Sequence, residues 1–220
     1  RVVVNVDVQD KATGSFSVAG GYSTSEGFLA EVSVQEINFL GRGHFVRVAA
    51  SNGQKSRGGE FSFTEPFFMG YRIAAGFDLF TKFNDVTDTS RYQLRTAGFT
   101  LRASVPITEE FSVGARYSAY QQKLRIPNTA SRPYNDCPAG APYLVAGLVN
   151  SCLTNGEASV ALKESANKTV TSLVGLTFLY NSLDNQRDPT SGIFAELKPE
   201  VAGVGGDSRF IRATASARYY

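Results

Sequence analysis

The chain has 220 residues, a formal net charge of +2, 42% hydrophobic residues, 2 cysteines and 1 histidine. That length suits one all-β domain, and scattered positive charge without a basic tail leaves no footprint for a nucleic-acid partner. No apolar run reaches the eighteen or so residues of a membrane helix, which excludes a spanning helix but not a spanning barrel.

Residues 1–9, RVVVNVDVQ, alternate Val2, Val4, Val6 and Val8 with Val3, Asn5 and Asp7, and do not read as a signal peptide. The stretch 13–43 predicts a β-hairpin closed at its far end by a glycine-bracketed turn. In its first arm Phe16, Val18 and Tyr22 share one parity, against Ser15, Ser17, Ala19, Gly21 and Ser23; in its second, Phe28, Ala30, Val32 and Val34 oppose Leu29, Glu31, Ser33 and Gln35. Gly14, Gly20 and Gly21 give the first arm little packing, so a weakly held strand with an approachable backbone is expected.

The same period recurs along the chain. HFVRVAAS and GEFSFTEP predict a strand pair, and a turn centred at Gly53–Gln54 would set Arg47 opposite Glu60. Further strands are expected from Tyr71, Ile73, Ala75, Phe77 and Leu79; from Ala97, Phe99, Leu101 and Ala103; and from Phe111, Val113, Ala115, Tyr117 and Ala119. Residues 126–168 break the rhythm and predict an extended loop. It holds Cys137 and Cys152 in a Gly/Pro/Asn-rich segment, which favours a local disulfide over two unrelated thiols. Beyond it Val174, Leu176 and Phe178, then Ile193, Ala195 and Leu197, then Ile211, Ala213 and Ala215 mark three more strands. Pro199, unable to donate to a ladder, implies a bulge or an unpaired spot.

Ten antiparallel strands in an up-and-down meander result, with short turns near 38–43, 65–70, 106–110 and 184–192 at one end and loops near 24–27, 52–57, 84–89, 126–168 and 204–208 at the other. Charged residues such as Arg47, Glu60, Arg72, Asp78, Arg102, Arg116, Glu200 and Arg212 fall mid-strand on the polar parity. They suit the wet lumen of a transmembrane barrel, and equally the solvated face of a soluble β-sandwich; period two alone leaves both open.

Three stretches resolve that choice by resemblance: VQDKATGSFSVAGGYSTSEG at 8–27, QEINFLGRG at 35–43 and DNQRDPTSGIFAEL at 184–197. Together they resemble the barrel domain of the BamA family of outer-membrane protein assembly factors, over essentially the whole chain and in the same order. The resemblance implies that residues 1–9 end a periplasmic POTRA domain and that residues 10–220 form the first ten of about sixteen strands of an all-β transmembrane barrel, part of a longer protein. It implies a location in the bacterial outer membrane, with the lipid bilayer, nascent β-barrel proteins and accessory assembly lipoproteins as partners. It further implies that the first strand, Gly14, Ser15, Phe16, Ser17, Val18, Ala19, Gly20, Gly21, Tyr22 and Ser23, is an edge that templates client strands at a lateral gate. Asn38, Phe39, Leu40, Gly41, Arg42 and Gly43 would form a periplasmic turn motif.

No P-loop, triad or carboxylate dyad is present, so a non-enzymatic insertase is expected, with no cofactor and no metal. His44, alone after a turn, cannot assemble a metal site or a catalytic triad, and Asn84, Asp85 and Asp88 lack the spacing and closing glutamate of a calcium loop. The alternatives are a passive or secretion pore of a related barrel family and a soluble β-sandwich binding module.

Overall fold

The computed structural model describes residues 12–24, 27–86, 92–125 and 168–220. Ten strands in sequence order build one antiparallel sheet. They are β1 (Gly14–Ser23), β2 (Gly27–Phe39), β3 (His44–Gly53), β4 (Ser56–Glu65), β5 (Ala74–Asp85), β6 (Gln93–Pro106), β7 (Phe111–Arg125), β8 (Lys168–Asn181), β9 (Ile193–Ala202) and β10 (Phe210–Tyr219). The expected terminal strand at 1–9, the loop from 126 to 167, and Cys137 and Cys152 with their expected disulfide lie outside the described residues.

Pairing preserves parity from strand to strand, so the alternation in each segment becomes two continuous faces. One face carries rows such as Val48, Phe61, Leu79, Phe99 and Ala119, directly opposed in register; the other carries rows such as Ser62, Asp78, Thr100 and Ser118. Burial runs opposite to that of a water-soluble core. The buried residues Ser62, Ser118, Thr171, Glu200, Leu173 and Ala202 all lie on the polar face, while Phe16, Val18, Leu101, Val174 and Leu176 stay exposed on the apolar one. The polar face is therefore the concave one. Ser172 is the exception, buried on the apolar parity with its hydroxyl donating to Tyr117 Oη at 3.0 Å.

On the apolar parity, charges are confined to strand ends: Glu36 and Glu65 at the turn end, and Arg57, Asp85, Arg95, Lys123 and Arg125 at the loop end. Along β4 the eight steps from Arg57 to Glu65 rise about 27 Å at about 3.4 Å each. At a tilt of about 35–45° this spans about 19–22 Å, most of the apolar band of about 25 Å that a barrel presents to lipid. Among the described residues no helix is long and apolar enough to cross a membrane, which says nothing against crossing by strands.

Three local expectations are corrected or refined. Arg47 lies opposite Gln35 and Ser62, whereas Glu60 faces Ala49, because the β3–β4 turn centres on Gln54–Lys55. Moving a hairpin's centre by one residue moves every partner by two. Arg47 instead bonds Gln35 Oε1 and pairs with Glu31 at 3.8 Å. Secondly, Tyr71, Arg72 and Ile73 precede β5 instead of opening it. A 3-10 turn at Phe68–Gly70, with Met69 and Gly70 both at positive φ, reverses the chain first. Thirdly, Pro199 produces an unpaired spot without a bulge: the β8–β9 ladder omits Leu176 and Thr177 opposite Pro199 and Lys198, then resumes in the same register.

Two ionic stitches cross the concave face, each passing over a glycine. Arg102 on β6 pairs with Asp78 on β5 and reaches β4, donating to Thr64 Oγ1 at 2.6 Å and Ser62 Oγ at 3.2 Å. A Cβ on the intervening Gly76 would stand 3.1 Å from Arg102 Nε and 2.6 Å from the Phe63 carbonyl. Glu200 on β9, 3% exposed, pairs with Arg212 on β10 and, across β8, with Arg116 on β7. It passes over Gly175, whose Cβ would lie 3.1 Å from Glu200 Cγ.

Truncating Glu200 to Ala leaves both guanidinium groups without their carboxylate. In the full-length protein, Glu200→Ala is expected to cost about 3 kcal/mol, the low end for a broken buried pair because both arginines keep contact with water. A lowered urea midpoint of the folded barrel checks this.

Candidate functional site

The chain's candidate machinery is one edge of the sheet and the turns that frame it. All ten residues proposed from sequence as the edge, Gly14 to Ser23, form β1, every one of them exposed. β1 pairs with β2 through ten consecutive positions without a bulge, and no other strand pairs with it among the described residues. The ladder between β1 and β2 is thus unbroken, and what β1 lacks is side-chain burial. Gly20 and Gly21 keep ordinary φ values, and a Cβ at Gly21 would meet nothing within 4 Å.

The register tells which backbone groups are available. Thr13 O accepts from Ile37 N at 3.3 Å, so Thr13 and Ile37 face each other in the hydrogen-bonding sense. Alternation of an antiparallel ladder then commits the odd residues Ser15, Ser17, Ala19, Gly21 and Ser23 to β2. The N–H and C=O groups of Gly14, Phe16, Val18, Gly20 and Tyr22 point away from β2, to the open side. Their side chains lie on the apolar face, opposite Glu36, Val34, Val32, Ala30 and Phe28.

Where β1 starts, the Asn38–Gly43 turn closes β2 onto β3. Asn38 Oδ1 accepts from Gly43 N at 2.7 Å, and Asn38 O accepts from Gly41 N at 3.0 Å. Asn38 N in turn donates to Glu36 Oε1 at 2.9 Å. Leu40, Gly41 and Gly43 all adopt positive φ, at 57°, 71° and 69°. Glycine meets that demand at two positions; Leu40 adopts it against its side chain's preference, and its side chain is exposed. Phe39 and Arg42 carry the turn's shape by a backbone bond between them, Arg42 N to Phe39 O at 3.4 Å. His44 packs edge-on against Phe63, with ring centroids 5.4 Å apart, which accounts for it structurally.

The turn near 184–192 joins β8 to β9. Gly192 has φ 115°, and a Cβ there would lie 2.3 Å from the Ser182 carbonyl oxygen. The missed organiser is Asp184. Its Oδ1 accepts from the backbone N–H groups of Asn185, Thr190 and Ser191 at 2.9, 3.0 and 3.2 Å, and Oδ2 accepts from the Thr190 hydroxyl. An Asp followed six residues later by Thr-Ser-Gly was the available signal for such an Asx-centred loop.

Residues 38–220 match the Omp85 superfamily domain. The chain is similar to the outer membrane protein assembly factor BamA of Neisseria meningitidis, 29% identical over 140 residues, 62% of this chain and 18% of that protein. It is also similar to BamA of Neorickettsia risticii, 22% identical over 213 residues, 97% of this chain and 25% of that protein. The chain thus spans a quarter or less of the length of these relatives. Its fold matches the crystal structure of Haemophilus ducreyi BamA lacking POTRA domains 1–3, with TM-score 0.66 and 20% identity, covering 95% of this chain and 37% of that one.

The hydrogen bonds from the Thr190 hydroxyl and the loop amides hold the Asp184 pKa at about 2, below the 3.8 of an ordinary aspartate. A depressed carboxylate pKa contributes stability that is complete above about pH 4 and is lost as pH falls through about 2. In the full-length protein, the urea midpoint is expected to fall between pH 4 and 2, and less steeply in Asp184→Asn.

Proposed function

Because the chain belongs to the Omp85 superfamily, we propose that it is the N-terminal part of the barrel of a bacterial outer-membrane protein that folds and inserts other β-barrel proteins. The curated relatives are themselves outer membrane protein assembly factors. Incoming strands pair with β1 at a lateral gate. The observation that carries this proposal is an exposed ten-residue strand, paired on one side, with the backbone groups of Gly14, Phe16, Val18, Gly20 and Tyr22 aimed at the open side. Main-chain pairing supplies affinity with little demand on client sequence, which suits a machine with many clients.

No nucleotide or catalytic group takes part: pairing and burial of the client drive insertion. Exposed small residues let β1 bend and release. Accessory lipoproteins are partners of the complete protein in this scheme, and residues 1–9 complete a POTRA domain ahead of the barrel.

A photocrosslinker at Ser17 of the full-length protein in cells, with Ser112 on β7 as control, tests the assignment. A Ser17 adduct to the C-terminal strand of a folding barrel protein, absent at Ser112, is expected; no client adduct with the barrel folded would sink the templating edge. Substitution by proline separates the two sides of β1. Val18→Pro removes an N–H on the open side and is expected to slow client insertion at least tenfold while the barrel still folds, whereas Ser17→Pro breaks the β2 ladder and lowers the folded yield. Equal client insertion in Val18→Pro and wild type would favour a passive or secretion pore, whose route is the charged concave face.

A further inference from the structure

The apolar face bears one row that neither the β1 edge nor the apolar band accounts for. Arg57 on β4, Phe83 on β5, Arg95 on β6 and Lys123 on β7 are consecutive register partners, with Lys168 next in register on β8. Arg57, Arg95 and Lys123 are exposed, and none of the three makes an ion pair among the described residues. The nearby acid on this parity, Asp85, accepts from Gln93 Nε2 at 2.8 Å. The row stands at the loop end; at the turn end the same face carries Glu36 and Glu65 and no strand lysine or arginine.

Directly below it, toward the middle of the band, the next row is small: Gly59, Thr81 and Ala97 in register. A Cβ on Gly59 would meet only Thr81 Cγ2, at 3.7 Å, so glycine there leaves room that packing does not require. An open cleft of about 480 Å³ lies here, lined by Arg57, Gly59, Thr81, Phe83 and Arg95 and, from the opposite parity, by Ser51 and Gly58. Under it the band resumes with Phe61, Leu79 and Phe99. An indentation with two guanidinium groups on its rim, an aromatic ring between them and hydrocarbon beneath matches one kind of molecule.

We propose that this row is a binding site for the phosphorylated headgroup of an outer-leaflet lipid. Guanidinium forks pair with phosphate oxygens in bidentate fashion, Lys123 adds a point charge, and acyl chains continue down over Phe61, Leu79 and Phe99. The site rests on the outer-membrane orientation proposed above, which sets the loop end at the outer leaflet.

The test uses the full-length protein in phosphatidylcholine nanodiscs doped with diphosphoryl lipid A or with the same lipid dephosphorylated, and native mass spectrometry reads the lipid retained after release. Preferential retention of the phosphorylated form is expected, falling about fivefold for each charge removed in Arg57→Gln and Arg95→Gln. Arg57→Lys with Arg95→Lys is expected to keep an intermediate share. Equal retention of both lipids by the wild type, or unchanged retention in the Gln variants, overturns the site and reduces the row to cations reaching for water. Displacement of the lipid by millimolar inorganic phosphate would show a free-anion site instead and overturns the lipid assignment. An epitope inserted after Gln54 and probed on intact cells separates the premises: absence of surface staining means the orientation fails, while staining without phosphate preference means the headgroup site alone fails.

Discussion

A backbone amide in hydrocarbon has no water to bond, so a strand that crosses a membrane must find its partner strand at every position. In this chain nine consecutive antiparallel pairings, β1 to β10 in sequence order, meet that demand for the interior strands apart from local breaks, and leave β1 and β10 each paired on one side. Because each pairing keeps parity, the choice of face made in β2 is inherited by every later strand. A single slip would have carried Phe61 or Leu79 to the concave side and Asp78 to the apolar one. The inverted burial, with Ser62 and Glu200 enclosed and Val18 and Val174 open, follows from that inheritance together with curvature.

Among the described strands the ladder is interrupted twice, by a register shift between Glu36 and Phe39 beside the β2–β3 turn and by a gap in mid-strand between β8 and β9, and the most buried ionic feature lies beside the second. Opposite Pro199 and Lys198, β8 and β9 lose two pairs. Glu200, the next residue on β9, reaches over Gly175 to Arg116 on β7 and sideways to Arg212 on β10. Four strands are tied together where the backbone ties them least. Arg102 plays the corresponding part over Gly76 for β4, β5 and β6. In both stitches the arginines keep contact with water while the carboxylate is the more enclosed partner, Glu200 most of all, so the desolvation cost falls mainly on the acid.

Strand number and parity were legible in the sequence, because period two is a local property that survives any error in register; the expected division between turns and longer loops was not, since β3 and β4 meet through two residues at the loop end while residues 182–192 join β8 to β9 at the turn end. Pairings were less so. The Arg47–Glu60 expectation failed on a turn centre displaced by one residue, a quantity that SNGQKSRGG does not determine by itself. The start of β5 was misplaced because Met69, an apolar residue without obvious turn preference, adopts positive φ. The edge residues and the Asn38–Gly43 turn took their roles from resemblance; in the structure they form β1 and the connection between β2 and β3. What remained hidden was of another order: Glu200 and Arg116 lie 84 positions apart and on strands that are not neighbours, and no local pattern announces that they meet. Asp184 was hidden by its ordinariness, one acid among several in a polar turn.

Gly175 and Glu200 also make a statement about descent. The glycine is required only while a long acid crosses it, and the acid reaches Arg116 only while nothing occupies position 175. Either change alone is penalised, by a clash or by a stranded pair of arginines. In related barrels the two positions should therefore drift as a unit, glycine persisting where the acid does and larger residues entering position 175 only in lineages where position 200 has shortened or turned away.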